Sequence, residues 1–152
     1  MKSLKLSLLS IIGALMMTLS FQSTAAEAVS VVGMGGYDLV SYHDGKKPLQ
    51  GNGNHLVQHN GVNYLFASKE NADTFSADAD KYLPAYGGYC AYGAAVGKKF
   101  IGDPTVWEVV DGRLYLNLDN GIKKIWAQDI PGNIVKADQN WSKIASVPAA
   151  QL

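Results

Sequence analysis

The sequence predicts an α+β fold: a single domain with a small antiparallel sheet built from two β-hairpins and packed helices. Three observations carry this. Asn60-Gly61 and Asp111-Gly112 each separate two β-prone runs, the strongest short-range hairpin signal. Apolar residues elsewhere recur at helical spacing. The order of elements lacks the strand–helix–strand alternation of a parallel sheet.

The first hairpin pairs His55–His59 with Val62–Ala67. Ser68 then reads as a simple N-cap, because Asn71 stands where a capping box would have Glu or Gln. A helix over residues 69–76 follows, with a further turn over 78–82, and Ala72, Phe75, Ala79 and Tyr82 form its apolar stripe. Pro84 ends it, since the residue before a proline avoids the α region. Gly87-Gly88 then turns the chain where a Cβ would clash. The second hairpin joins Val106–Val110 to Arg113–Leu118, where Leu114, Leu116 and Leu118 alternate along one face. A helix is expected from residue 121 or 122 to Asp129, an interruption at Pro131, and a last helix over residues 134–144 burying Ile134, Ala137, Trp141 and Ile144. Trp107, Trp126 and Trp141 are expected in the core.

The N-terminus has a different character. Lys2 and Lys5 precede an uncharged apolar run from Leu6 to Phe21, and small residues follow to Ala28. That is the layout of a signal peptide, cleaved after Ala26 or Ala28. A membrane span needs about 20 apolar residues, more than this run supplies, so no membrane anchor is expected after cleavage. Residues 1–26 are thus assigned to the signal, 30–145 to the domain and 146–152 to a frayed tail. The mature chain is expected in an exported compartment, the periplasm of a Gram-negative cell.

Cleavage after Ala26 leaves 126 of the 152 residues, and loss of Lys2 and Lys5 takes 13 basic residues to 11 against 13 acidic. With a net charge near −2 and one arginine, Arg113, the chain lacks the basic stripe that nucleic acid requires. Cys90 is the single cysteine, so no internal disulfide forms. It reads as a buried inert thiol, as a ligand or nucleophile, or as a link to another chain.

Gly36-Tyr37-Asp38-Leu39-Val40-Ser41-Tyr42, the hairpin ending Tyr64-Leu65-Phe66-Ala67-Ser68, then Asp80-Lys81-Tyr82-Leu83-Pro84 and Tyr86-Gly87-Gly88-Tyr89-Cys90-Ala91 form an ordered series of short motifs. In this the chain resembles the YHS-domain family, and within it the exported long form, which continues through Asp103-Pro104, Trp107 and Asp111-Gly112-Arg113-Leu114-Tyr115-Leu116-Asn117. The likeness runs from about Val32 to Trp141. The short form is associated with metals through two cysteines. Here the opening segment has none, and Ala67 stands where the second would be, so that site does not carry over.

The resemblance, together with a thiol in a glycine bend, implies a non-catalytic binding module that holds a metal ion or small ligand in a tyrosine and cysteine pocket. The candidate ligand-binding residues are Asp38, Tyr42, Tyr86, Tyr89 and Cys90, and the candidate metal ligands are Cys90 and His43, with copper or zinc as the metal. His55 and His59 lie on one strand about 13 Å apart at about 3.3 Å per residue, too far to share an ion. Two alternatives stay open: a structural or interaction protein with no ligand, and a thiol enzyme with Cys90 as nucleophile, His43 as base and Asp38 as orienting group. No Ser-His-Asp signature, phosphate loop or HExxH motif is present. Oligomeric state is not legible from these residues.

Overall fold

The computed structural model describes residues 30–152, so the expected signal peptide lies outside the described residues. The fold is α+β, as expected, with the two hairpins forming two separate two-stranded sheets and not one. β1 (Asn52–His59) pairs antiparallel with β2 (Val62–Phe66), and β3 (Asp103–Val110) with β4 (Arg113–Asn117). Both residues of each connecting turn have positive φ: 49° and 78° at Asn60-Gly61, 51° and 77° at Asp111-Gly112. This is what a type I′ hairpin turn requires.

Helix α1 spans Lys69–Ala77 with Ser68 as its cap, Ser68 Oγ accepting from Asn71 N at 3.2 Å. α2 is a single turn, Ala79–Tyr82. Three helical features differ from expectation. Ala91–Ala95 forms α3, capped by the Cys90 sulfur. α4 starts one residue early, at Asn120, because Asp119 Oδ1 accepts from Ile122 N; it runs to Trp126 and continues as a 3₁₀ turn to Asp129. α5 begins at Ile130 and not 134, since Pro131 sits in its first turn, where a missing N–H costs nothing, and Asp129 caps it; it ends at Ile144. The tail is also held more firmly than expected, with a 3₁₀ turn at Ala149–Gln151 and the Lys99 ammonium donating to the carbonyls of Ala145 and Val147.

The molecule is a structural repeat. An offset of 51 residues carries the β1–β2 pairing from Asn52↔Phe66 to His59↔Val62 onto β3–β4 from Asp103↔Asn117 to Val110↔Arg113, with the register shift at the same place. Before each hairpin comes a left-handed turn: φ is 54°, 59° and 79° at Met34, Gly35 and Gly36, and 55°, 62° and 84° at Tyr86, Gly87 and Gly88. Gly51 N donates to Gly36 O as Gly102 N donates to Gly88 O, and Asp38 N to Leu49 O as Cys90 N to Phe100 O. The caps Ser68 and Asp119 correspond in the same way.

The two copies share one of the two core clusters. One cluster joins Leu39, Tyr42, Phe66, Phe75 and Tyr82 of the first unit to Leu114 and Leu116 of the second. The other gathers Tyr86, Ala91, Ala94, Tyr115 and Trp126 under Ala137 of α5. Of the tryptophans expected inside, Trp126 is fully buried, whereas Trp107 and Trp141 are half-buried.

Candidate functional site

The residues singled out from the sequence mostly hold the fold. Asp38 is fully buried, and its carboxylate accepts four N–H groups: Val40 N at 2.9 Å, Ser41 N at 3.2 Å, Ala67 N at 2.9 Å and Asn71 Nδ2 at 2.7 Å. It closes the first left-handed turn and ties it to the end of β2. Tyr42 is buried, stacks edge-on against Trp107, and donates to Pro104 O at 2.8 Å. Burial, followed by the nearby Tyr37 and Asp103, pushes its phenol well above the ordinary tyrosine range. Tyr86 is buried likewise and donates to Asp138 Oδ1 at 2.9 Å; burial and that carboxylate raise its phenol in the same direction. Cys90 occupies in the second unit the place of Asp38 in the first. At 1% exposure its sulfur accepts from Gly93 N at 3.3 Å and lies 3.7 Å from Asn117 Oδ1.

His43 stands elsewhere, with its ring edge-on to Tyr82 at 5.1 Å. Its Nε2 is buried without a partner among the described residues. Burial chiefly, and then Lys81, lowers its pKa from 6.5, against an opposing effect of Asp44. The unfolded chain therefore binds a proton more readily than the folded one. The histidine's contribution to stability is complete above about pH 6.5 and declines as pH falls toward the lowered value. His43→Phe keeps the aromatic contact with Tyr82 and removes the proton site. Urea titrations of this variant are expected to show a flatter fall in stability as pH drops below about 6.5 than wild type does.

The donors do not fit a bound copper or zinc ion. Cys90 and His43 have no partner in common, the thiol sulfur is engaged as a helix cap, and no group of three His, Cys, Asp or Glu side chains converges among the described residues. Soft metals are held by several thiolate or imidazole donors aimed at one point.

The open site lies where the two units face each other. A groove of about 770 Å³ is lined by Met34 and Gly35 of the first left-handed turn, Gly87 and Gly88 of the second, and residues from both hairpins including Tyr64 and Leu116. Of the five ligand-binding candidates, Tyr89 alone lines it; Tyr86 and Cys90 lie behind its wall. None of the described lining residues is Asp, Glu, Lys, Arg or His. Ile101 stands on its rim at 73% exposure. The second unit places this isoleucine where the first has Gln50, which donates to Gly35 O at 3.1 Å.

Two features give the groove rigid walls. Met34 and Tyr86 adopt left-handed backbone that residues with a Cβ rarely occupy, at a cost of order 1–2 kcal/mol each. The sulfur of Met34 lies 3.5 Å from where a Cβ of Gly88 would be, so the turns are seated against each other. Tyr89 is held from behind by Trp141, 6.0 Å between ring centroids, and by the Lys99 ammonium 5.3 Å from its ring. Comparison of the chain with family models, with curated proteins and with solved structures returned no match.

Proposed function

We propose that the protein is an exported, non-catalytic binding module of YHS type that holds a small, uncharged, largely apolar ligand between its two left-handed turns. The observation that carries this reading is the groove itself: of ligand size, walled by strained and braced backbone, and free of charged side chains among its described lining. A charged ligand would lose its hydration there without gaining a partner. The tyrosines give the site polar tips: burial raises the Tyr64 phenol above its ordinary range, so its hydroxyl remains a donor at neutral pH. Export follows from the basic, apolar and small-residue layout of the first 28 residues.

The test is native mass spectrometry of the mature protein from its own compartment, then equilibrium binding of Nile red, copper, zinc and haem. Retention of an uncharged molecule, or saturable binding of Nile red, supports the groove; metal uptake lost in Cys90→Ser and His43→Phe supports the metal site instead. Ile101→Glu brings a carboxylate to the rim without disturbing the core. It is expected to weaken Nile red binding on the order of tenfold or more with the melting temperature unchanged. The burial of Asp38, Tyr42, Tyr86 and Cys90 favours one second reading, a structural or interaction role with no ligand. Absence of any retained molecule and of any binding would establish it.

A further inference from the structure

We propose that Asn60 is a self-modification site, converted to aspartate through a cyclic imide with Gly61 and assisted by His59. The pair that makes the first hairpin turn is also open to this chemistry. Asn60 and Gly61 are both exposed, nothing lies within 4 Å of the position of a Gly61 Cβ, and the glycine has no side chain to hinder its nitrogen as the nucleophile. His59 Nε2 lies 3.0 Å from Asn60 Nδ2, the atom that must leave. The His59 ring packs edge-on against the buried Phe75 at 6.0 Å, which holds it in place.

The steps balance with water as the only co-reactant. Gly61 N attacks Asn60 Cγ and forms a new C–N bond while its proton passes to solvent. In the tetrahedral intermediate Nδ2 is no longer an amide nitrogen but a basic amine. His59, whose Nε2 accepts from the amide in the resting turn, takes up a proton from solvent and as the imidazolium donates it from Nε2 to this amine; the Cγ–Nδ2 bond breaks, ammonia departs and the ring is left neutral. Water then opens the imide: attack at Cγ gives aspartate, and attack at the main-chain carbonyl gives isoaspartate.

The repeat shows what the aspartate product looks like. The second hairpin already carries Asp111-Gly112 at the equivalent place, with φ of 51° and 77° against 49° and 78°. Conversion to aspartate therefore preserves the turn and adds a negative charge beside His59. The isoaspartate product inserts a methylene into the main chain of a two-residue turn, where loop length sets strand register.

Two other Asn-Gly pairs serve as internal clocks. Asn52 Oδ1 accepts from Asn54 N, and Asn120-Gly121 lies in the first turn of α4. The described structure places a ring nitrogen against the leaving amide only at Asn60. The mature protein is incubated at neutral pH, and peptide mapping by mass spectrometry follows the exchange of NH₂ for OH at each asparagine. Asn60 is expected to convert fastest. His59→Gln and His59→Phe, the latter retaining the packing on Phe75, are expected to slow it by about tenfold or more and leave the Asn52 rate unchanged. The proposal is overturned if Asn60 loses ammonia no faster than Asn52, or if both His59 variants convert at the wild-type rate.

Discussion

Asp38→Ala is expected to lower the unfolding free energy by about 3–5 kcal/mol. The alanine leaves four N–H groups facing a buried void: those of Val40, Ser41 and Ala67, and the Asn71 amide. Each buried donor without an acceptor costs roughly 1–3 kcal/mol, and relaxation of the first unit recovers part of the total. Asp38→Asn is expected to fall between, because its amide nitrogen cannot accept from Ala67 N or Asn71 Nδ2. Urea unfolding curves check this through a lowered midpoint at unchanged slope. A loss below about 1 kcal/mol for the alanine variant would mean that the carboxylate does not hold the turn.

Gly51→Ala is the second large effect. A Cβ there would sit 2.3 Å from the Leu65 carbonyl carbon and 2.6 Å from Phe66 N, which are backbone atoms with no rotamer to escape into. The equivalent Gly102 meets Leu116 Cβ at 2.6 Å and Gly88 O at 2.8 Å. Overpacking of this kind costs about 3 kcal/mol or more, because β1 must move off β2 at the point where the hairpin meets the left-handed turn. Gly53→Ala, two residues on with nothing within 4 Å of its Cβ, is the control, expected within about 0.5 kcal/mol of wild type. Equal melting temperatures for the two variants would overturn the steric argument.

What the sequence made legible was local. Asn60-Gly61, Asp111-Gly112 and the Ser68 cap act through neighbours in the chain, and so the hairpins and α1 stand where the residues place them. Asp38 also acts on chain neighbours, Val40 N and Ser41 N, yet from the sequence it reads as a ligand-binding carboxylate. α3 was not legible, because four small residues and one tyrosine carry little periodicity and its cap is a cysteine sulfur. The start of α5 was hidden by Pro131, which breaks a helix interior but suits a first turn.

The repeat was visible only as Gly-Gly-Tyr before Asp38 and again before Cys90, and as two Xaa-Gly turns 51 residues apart. The copies differ where repeats are usually sought, in the core. Phe66 and Phe75 of one unit correspond to Asn117 and Trp126 of the other. The groove was illegible for a related reason. Its walls are mostly glycine, valine, proline and leucine drawn from distant parts of the chain, and of its lining only the tyrosines look like chemistry. Tyr42, Tyr86 and Cys90, which look equally like chemistry, went inside; a phenol ring is mostly apolar surface and needs only one partner for its hydroxyl.

Lys99 has a practical consequence. Its ammonium lies over Tyr89 and Trp141 and at the same time holds the carbonyls of Ala145 and Val147, so the groove wall and the last residues of the chain share one fastening. A tag fused close after α5 therefore loads the groove wall as well as the tail. The tip of the second hairpin, Asp111-Gly112, is exposed with open space around it. A label carried on a residue substituted for Asp111 keeps the two-residue turn, and with it the strand register, and leaves that fastening untouched.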